Sequence, residues 1–177
     1  MRFAVALAVV LPAVANAQPH AFKNLQLGAP QSEITADPRF ECRRGTSALG
    51  DFMCHLKPSA RESIAERPVR SVMLQFYDER LYTISVTIDS VDFRAVGDAL
   101  TARYGAPSAQ TTEPVTNRMG ASFDNEIRRW HEQDSHIELK KYSGRIDRGV
   151  VHYRLNDFMD KFLDRKRQRS QGAAKDL

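Results

Sequence analysis

The strongest constraint on the fold is the alternation of apolar and polar residues on both sides of a short charged segment at 69–89, VRSVMLQFYDERLYTISVTID. A period of two is typical of strands that bury one face, so this pattern predicts an antiparallel hairpin. The two apolar faces coincide if Phe76 opposes Tyr82, which requires a three-residue loop at 78–80; a two-residue loop would turn them to opposite sides. The apolar sets are Val72, Leu74 and Phe76 in the first strand, and Tyr82, Ile84, Val86 and Ile88 in the second.

A second pattern predicts a helix directly after this hairpin. Apolar residues recur at helical spacing from Phe93 to Tyr104, Ser90 or Asp92 can cap the start, and Gly105 ends the segment.

The other predicted elements are short and indicate an α+β fold. Because no strand–helix–strand alternation demands a parallel sheet, we expect an antiparallel meander with helices packed on one face. Gly-x-Pro at 28–30 and again at 105–107 would fit two helix–meander units. A single domain is expected at 18–169, followed by a disordered tail at 170–177. Further predictions are strands at 21–27, 40–44, 52–56, 126–132, 136–142 and 150–155, helices at 32–35, 59–66 and 157–169, and a flexible loop at 108–120.

The two cysteines of the chain, Cys42 and Cys54, lie in short predicted strands around a loop at 45–50. Pairing these strands places the cysteines opposite each other, at a Cα separation that a disulfide accepts. A metal site would add His55 and His20, but His55 points to the other face of its strand and the usual zinc-ligand spacing is absent. A redox pair would require Cys-x-x-Cys. We therefore predict a disulfide and no metal site.

The N-terminal segment at 1–17, MRFAVALAVVLPAVANA, has the order of a cleavable signal peptide. Arg2 supplies a positive charge, an apolar run too short to span a bilayer follows, and the small-x-small end predicts cleavage after Ala17. A buried N-terminal helix is the alternative interpretation. The expected location is periplasmic or secreted, and such an oxidising compartment favours the disulfide.

The formal net charge of +4 is concentrated near the C-terminus. Residues 161–177 carry six basic and two acidic side chains, and without them and Arg2 the chain has 19 basic and 20 acidic residues. The rest of the chain therefore has nearly equal numbers of positive and negative charges, which does not favour nucleic acid binding. The tail is either a solvated helix end, where cations suit the helix dipole, or a contact for an anionic membrane surface or an acidic partner. The basic residues of this tail are Arg165, Lys166, Arg167 and Arg169.

Three predicted strands of the meander place mixed polar residues on one face. A two-residue turn at 134–135 would set His131 opposite Glu138 and Trp130 opposite Leu139. A catalytic or metal-binding interpretation would combine a histidine of this region with Glu138. The alternative is a solvated face, since antiparallel sheets commonly expose one side. The candidate binding face consists of Arg129, His131, Glu138, Lys140, His152 and Arg154.

Common catalytic motifs are absent from the sequence. It contains no Gly-x-Ser-x-Gly, no Ser-x-x-Lys, no His-Glu-x-x-His and no glycine-rich phosphate loop. The acidic residues are scattered among arginines, although a glycosidase pair needs only to meet in space. We therefore predict a protein without enzymatic activity and without a cofactor.

Several segments resemble small exported proteobacterial proteins of unknown function: AFKNLQLGAPQSEIT, the two-cysteine hairpin, DALTARYGAP and RRWHEQDSHIELKKY. The stretch LGAPQSEI is also similar to the helix start of small outer-membrane-assembly accessory lipoproteins and of the β-lactamase inhibitor protein. The chain departs from the lipoproteins because no cysteine follows the predicted cleavage site. The resemblance implies a small helix-on-sheet binding module and assigns no functional residues.

The leading functional hypothesis is a soluble periplasmic binding or accessory protein whose partner is another envelope protein. The second is an inhibitor or immunity protein against a secreted hydrolase, which predicts a protruding loop at 108–120 or 45–50. The third is an enzyme acting on the cell wall or on glycans.

Overall fold

The computed structural model of the protein describes residues 19–47, 50–117 and 119–175, so the predicted signal peptide at 1–17 lies outside the described residues. A 3-10 turn at Ser90–Asp92 precedes the second helix. The helices and strands of the described chain are β1 (Ala21–Phe22), β2 (Leu25–Gln26), α1 (Gln31–Thr35), β3 (Phe40–Ser47), β4 (Gly50–Leu56), β5 (Ser63–Ile64), β6 (Arg67–Pro68), β7 (Ser71–Tyr77), β8 (Arg80–Asp89), α2 (Phe93–Tyr104), β9 (Ala109–Thr116), β10 (Ser122–His131), β11 (Ser135–Lys140), β12 (Arg148–Leu155) and α3 (Phe158–Lys175).

Eight of these strands form one antiparallel sheet in the order β3-β4-β7-β8-β12-β11-β10-β9. The pairs β1–β2 and β5–β6 form two separate small hairpins. The protein is therefore mostly antiparallel sheet with a few short helices, in agreement with the coarse class predicted from the sequence.

The two longer helices lie on opposite faces of this sheet, whereas the sequence predicted helices on one face. Helix α2 packs on the apolar face, where a Cβ added at Gly97 would lie 3.3 Å from the Leu139 side chain. Helix α3 begins on the other face, where the Phe158 ring centroid lies 6.1 Å from that of Tyr77. Tyr77 follows the core residue Phe76 in the strand, so its side chain lies on the other face of the sheet, where it contacts α3. The prediction of helices on one face did not account for this second aromatic patch.

The β7–β8 hairpin has the predicted apolar pairs Val72–Val86 and Leu74–Ile84, but the predicted Phe76–Tyr82 pair is wrong. Phe76 pairs with Leu81 instead, and the turn contains two residues with positive φ, 47° at position 78 and 61° at position 79. The register shift beside Gln75 compensates for the shorter turn, because a β-bulge inserts one extra residue and restores the faces. A bulge leaves no simple mark in an alternating pattern.

Strands β3 and β4 pair as predicted, with Cys42 opposite Cys54 and Phe40 opposite Leu56. The two cysteines form a disulfide with a Cα separation of 4.0 Å. His55 belongs to the other face, since it pairs with Met73 and alternates with the buried Cys54. The disulfide therefore joins an edge strand of the sheet to its neighbour.

The flexible loop predicted at 108–120 is wrong, because residues 109–116 form the edge strand β9. This strand pairs with β10 in continuous register from Thr116 opposite Ser122 to Ala109 opposite Arg129. Most of its side chains are exposed on both faces, so the apolar period that marks a half-buried strand is missing.

Two predictions near the N-terminus also need correction. The helix predicted at 59–66 is instead the hairpin β5–β6, which turns at Ala65 and Glu66 with φ values of 50° and 62°. The strand predicted at 21–27 is the hairpin β1–β2, which turns at Lys23 with a φ of 54°. Both turns use non-glycine residues with positive φ, which turn preferences do not favour, and this explains why the sequence did not reveal them.

The C-terminal helix is longer than predicted, since α3 continues to Lys175 through six residues of the segment expected to be disordered. This segment, SQGAAK, contains no proline, and alanine is the strongest helix former.

Strands β10 and β11 are offset by two residues from the predicted register. His131 opposes His136, Trp130 opposes Ile137 and Arg129 opposes Glu138. Because a shift of two keeps every side chain on the same face, the predicted division into polar and apolar faces is retained.

Candidate functional site

The six residues of the candidate binding face lie on one side of the sheet, which we call the polar sheet face. Arg129 opposes Glu138, and Glu138 opposes His152 on the next strand. Lys140, His131 and Arg154 share this side because they are separated from those residues by an even number of positions along their strands. The structure therefore brings together all the residues that the sequence grouped, although in a different register.

Glu138 is the centre of an ion-pair cluster on the polar sheet face. Its Oε2 accepts a 2.8 Å hydrogen bond from Arg129 Nε, and its Oε1 lies 3.3 Å from Lys140 Nζ. Arg154 Nη1 lies 3.7 Å from the same Oε1. Three cations thus surround one carboxylate, which leaves this cluster with a formal excess of positive charge.

The environment fixes the protonation of two groups at neutral pH. Burial alone would raise the pKa of Glu138, but Lys140 and the hydrogen bond from Arg129 outweigh it and hold this pKa below its usual value. Burial, assisted by the neighbouring charge of Arg154, lowers the pKa of His152 to about 3. Glu138 is therefore ionised and His152 neutral, and the His152 Nδ1 lies 2.9 Å from Ser85 Oγ.

The histidines of this region make a stack. The His131 and His136 ring centroids are 5.4 Å apart, and His136 Nδ1 lies 3.0 Å from Asn156 Oδ1. Burial lowers the pKa of His136, and its hydrogen bond to Asn156 acts in the opposite direction. Across residues 19–47, 50–117 and 119–175, no group of three or more His, Cys, Asp or Glu side chains is placed to hold a metal ion.

Next to the Glu138 cluster lies a row of buried polar atoms on three adjacent strands. Gln75 opposes Thr83, and Thr83 opposes Arg154, so their side chains share the polar sheet face. Gln75 Nε2, Thr83 Oγ1 and Arg154 Nε have no hydrogen-bond partner among the described residues. Gln75 is 4% and Thr83 is 1% exposed. Because these atoms have almost no accessible surface, the row is a buried polar layer beside the partly exposed Glu138 cluster and does not itself face a partner from outside the chain.

Sequence reasoning missed Gln75 and Thr83 as buried polar residues on the same side of the sheet. The alternation that placed Val72 and Leu74 in the core also places Gln75 on the opposite face, so the signal was present in the hairpin.

The basic tail is only partly available to a partner. Arg165 forms an ion pair with Asp51, and its guanidinium lies 5.7 Å from the centroid of the Tyr77 ring. Arg167 pairs with Asp164 on the same helix, and Lys166 is exposed. The side chain of Arg169 lies outside the described part of the structure.

A cleft of about 570 Å³ lies at another place on the sheet and contains none of the candidate residues. Val115, Tyr142 and Ile146 line it together with the ion pair between Arg145 and Asp147.

No helix in the described ranges is both long and apolar enough to traverse a bilayer. In comparisons with known proteins, the model of the TP0088 domain family matches residues 20–166. No curated protein and no solved structure gives a significant match.

Proposed function

Since the chain belongs to the TP0088 domain family over residues 20–166, we propose that this domain is a binding protein of the bacterial envelope that catalyses no reaction. Its polar sheet face binds an acidic segment of another envelope protein. The observation that supports this most directly is the gathering of three cations around the single carboxylate of Glu138.

The charge balance of this cluster favours an acidic partner. Each of Arg129, Lys140 and Arg154 is half-buried, and one internal carboxylate cannot neutralise all of them. A second carboxylate supplied from outside would gain charge-assisted hydrogen bonds in a partly desolvated position, where such bonds are stronger than in water.

Export is part of this proposal. The segment at 1–17 has the pattern of a signal peptide, and the Cys42–Cys54 disulfide suits an oxidising compartment. The mass of the protein recovered from a periplasmic extract would test this, and we expect a chain that begins at Gln18.

Binding can be measured by fluorescence anisotropy with a labelled oligo-glutamate peptide as the probe. We expect saturable binding that weakens as salt is raised, because the Debye length falls to about 8 Å at physiological ionic strength. The double variant Arg129→Gln/Lys140→Gln removes the excess charge of the cluster and should weaken binding by about tenfold or more.

The matched control is Arg128→Gln/Lys141→Gln. Arg128 and Lys141 adjoin Arg129 and Lys140 in sequence, and their substitution removes the same net charge. They do not belong to the Glu138 cluster, because Arg128 lies beside Gly97 of α2 and Lys141 pairs with Glu126. An equal loss of binding in both variants would show a general charge effect and contradict the proposed face. Turnover of peptidoglycan that is abolished by Glu138→Gln would instead favour the enzyme hypothesis.

A further inference from the structure

A second site lies on the opposite face of the sheet, where the hairpins β1–β2 and β5–β6 meet α2. It is a cavity of about 300 Å³. Val96, Leu100 and Tyr153 line it and belong to the apolar core, each no more than 4% exposed. Three alanines surround this apolar floor, and their small side chains leave the space open: Ala21, Ala65 and Ala99.

Two polar side chains, Arg103 and Tyr153, also line the cavity. Arg103 lines it with its guanidinium 5.1 Å from the centroid of the Tyr104 ring, and it pairs with no carboxylate of the described chain. The Tyr153 hydroxyl belongs to a side chain that is only 2% exposed, and no described residue accepts its proton. Burial raises the pKa of the Tyr153 phenol.

The backbone around the cavity is strained. Lys23, Ala65 and Glu66 all line it and all have positive φ, at 54°, 50° and 62°. Residues other than glycine adopt this conformation at an energetic cost, and such strain tends to occur at functional sites. Both hairpin tips thus hold an unfavourable conformation at the mouth of the same cavity.

We propose that this cavity binds a small monocarboxylate with a short aliphatic body. The carboxylate contacts the Arg103 guanidinium and accepts a hydrogen bond from the Tyr153 hydroxyl, while the body packs on Val96 and Leu100. Two cations line the cavity. Lys23 pairs with Glu62, which leaves Arg103 to match a single carboxylate. The volume equals that of about ten water molecules, so a ligand of about ten non-hydrogen atoms fits.

Octanoate has this size and is the probe for a titration of the full mature chain by ¹H–¹⁵N NMR. We expect saturable shifts within α2 and around Tyr153, with a Kd of about 1 mM or tighter. The neutral analogue octan-1-ol should bind about tenfold more weakly, because it cannot pair with Arg103. Shifts confined to other parts of the protein, or none that saturate, would overturn the proposal.

Matched variants test the two ends of the site. Ala99→Leu fills the mouth and should abolish binding, whereas Ala102→Leu on the same exposed helix surface should leave it unchanged. Arg103→Gln should weaken octanoate about tenfold without affecting octan-1-ol, with Arg94→Gln as its control. Tyr153→Phe should weaken octanoate about threefold. Octanoate affinity that survives both Ala99→Leu and Arg103→Gln would disprove the site.

Discussion

Removal of the Cys42–Cys54 disulfide should destabilise the protein by about 3–4 kcal/mol. The cysteines are separated by 12 positions, and closing a loop of this length contributes about 3 kcal/mol in the chain-entropy model. Cys54 is 0% exposed, so the variant Cys42→Ala/Cys54→Ala also leaves a small unfilled volume, which adds about 1 kcal/mol. For a domain of this size the melting temperature should fall by about 10 °C.

The fluorescence of Trp130 can follow unfolding in urea, because this tryptophan is 3% exposed and donates a hydrogen bond from Nε1 to the carbonyl of Gly105. Dithiothreitol provides the internal control: it should shift the midpoint of the native protein toward that of the double variant and leave the variant unchanged. Two reactive thiols in the unreduced native protein, or a loss below about 1 kcal/mol in the variant, would refute the reasoning.

Three further results are expected. Glu138→Gln should lower the free energy of unfolding at pH 7 by about 1–3 kcal/mol, because Arg129 and its neighbouring cations lose their anion. The pKa of Glu138 in the folded protein lies below its usual 4.5. The difference in free energy of unfolding between the native protein and Glu138→Gln, measured in urea, should therefore shrink as the pH falls through this lowered pKa. A difference that stays constant with pH would contradict the ion-pair origin. His152 should stay neutral in the folded protein down to a pH of about 3, so NMR of its imidazole should show no titration between pH 7 and 4. Because the unfolded state binds this proton at higher pH, His152 lowers the free energy of unfolding as the pH decreases through that range. Glu79→Gly should raise the free energy of unfolding by about 1 kcal/mol, because residue 79 has a φ of 61°, and a destabilised variant in thermal melts would refute this.

The sheet could be predicted from the sequence where one face of a strand is buried. The pairs Val72–Val86 and Leu74–Ile84 follow from alternation alone, and so does the opposition of Cys42 and Cys54. The bulge that displaces Phe76 from its predicted partner could not be seen, since it depends on a turn whose backbone the sequence does not favour. The edge strand at 109–116 was missed for a different reason, because solvent on both sides removes the apolar period.

The sequence predicted that the candidate side chains share the polar sheet face, but it did not predict their contacts with one another. An error of two residues in the β10–β11 register left Glu138 on the correct face but gave it the wrong neighbour, His131 in place of Arg129. The position of Gln75 and Thr83 beside the Glu138 cluster depends on the order of strands across the sheet. That order places β12 beside β8, which are separated by more than fifty residues of chain, and local patterns contain no information on such a pairing.

The sheet is open, so its two outer strands could in principle pair with another molecule and start a polymer. In the edge strand β9, Pro114 has no amide hydrogen to donate to another strand, and Glu113 adds a charge beside it. On β3 the exposed Arg43 and Arg44 lie next to each other. Two chains that meet edge to edge would therefore encounter like charges or a missing hydrogen bond, and we expect the protein to resist self-association through its strands even at high concentration.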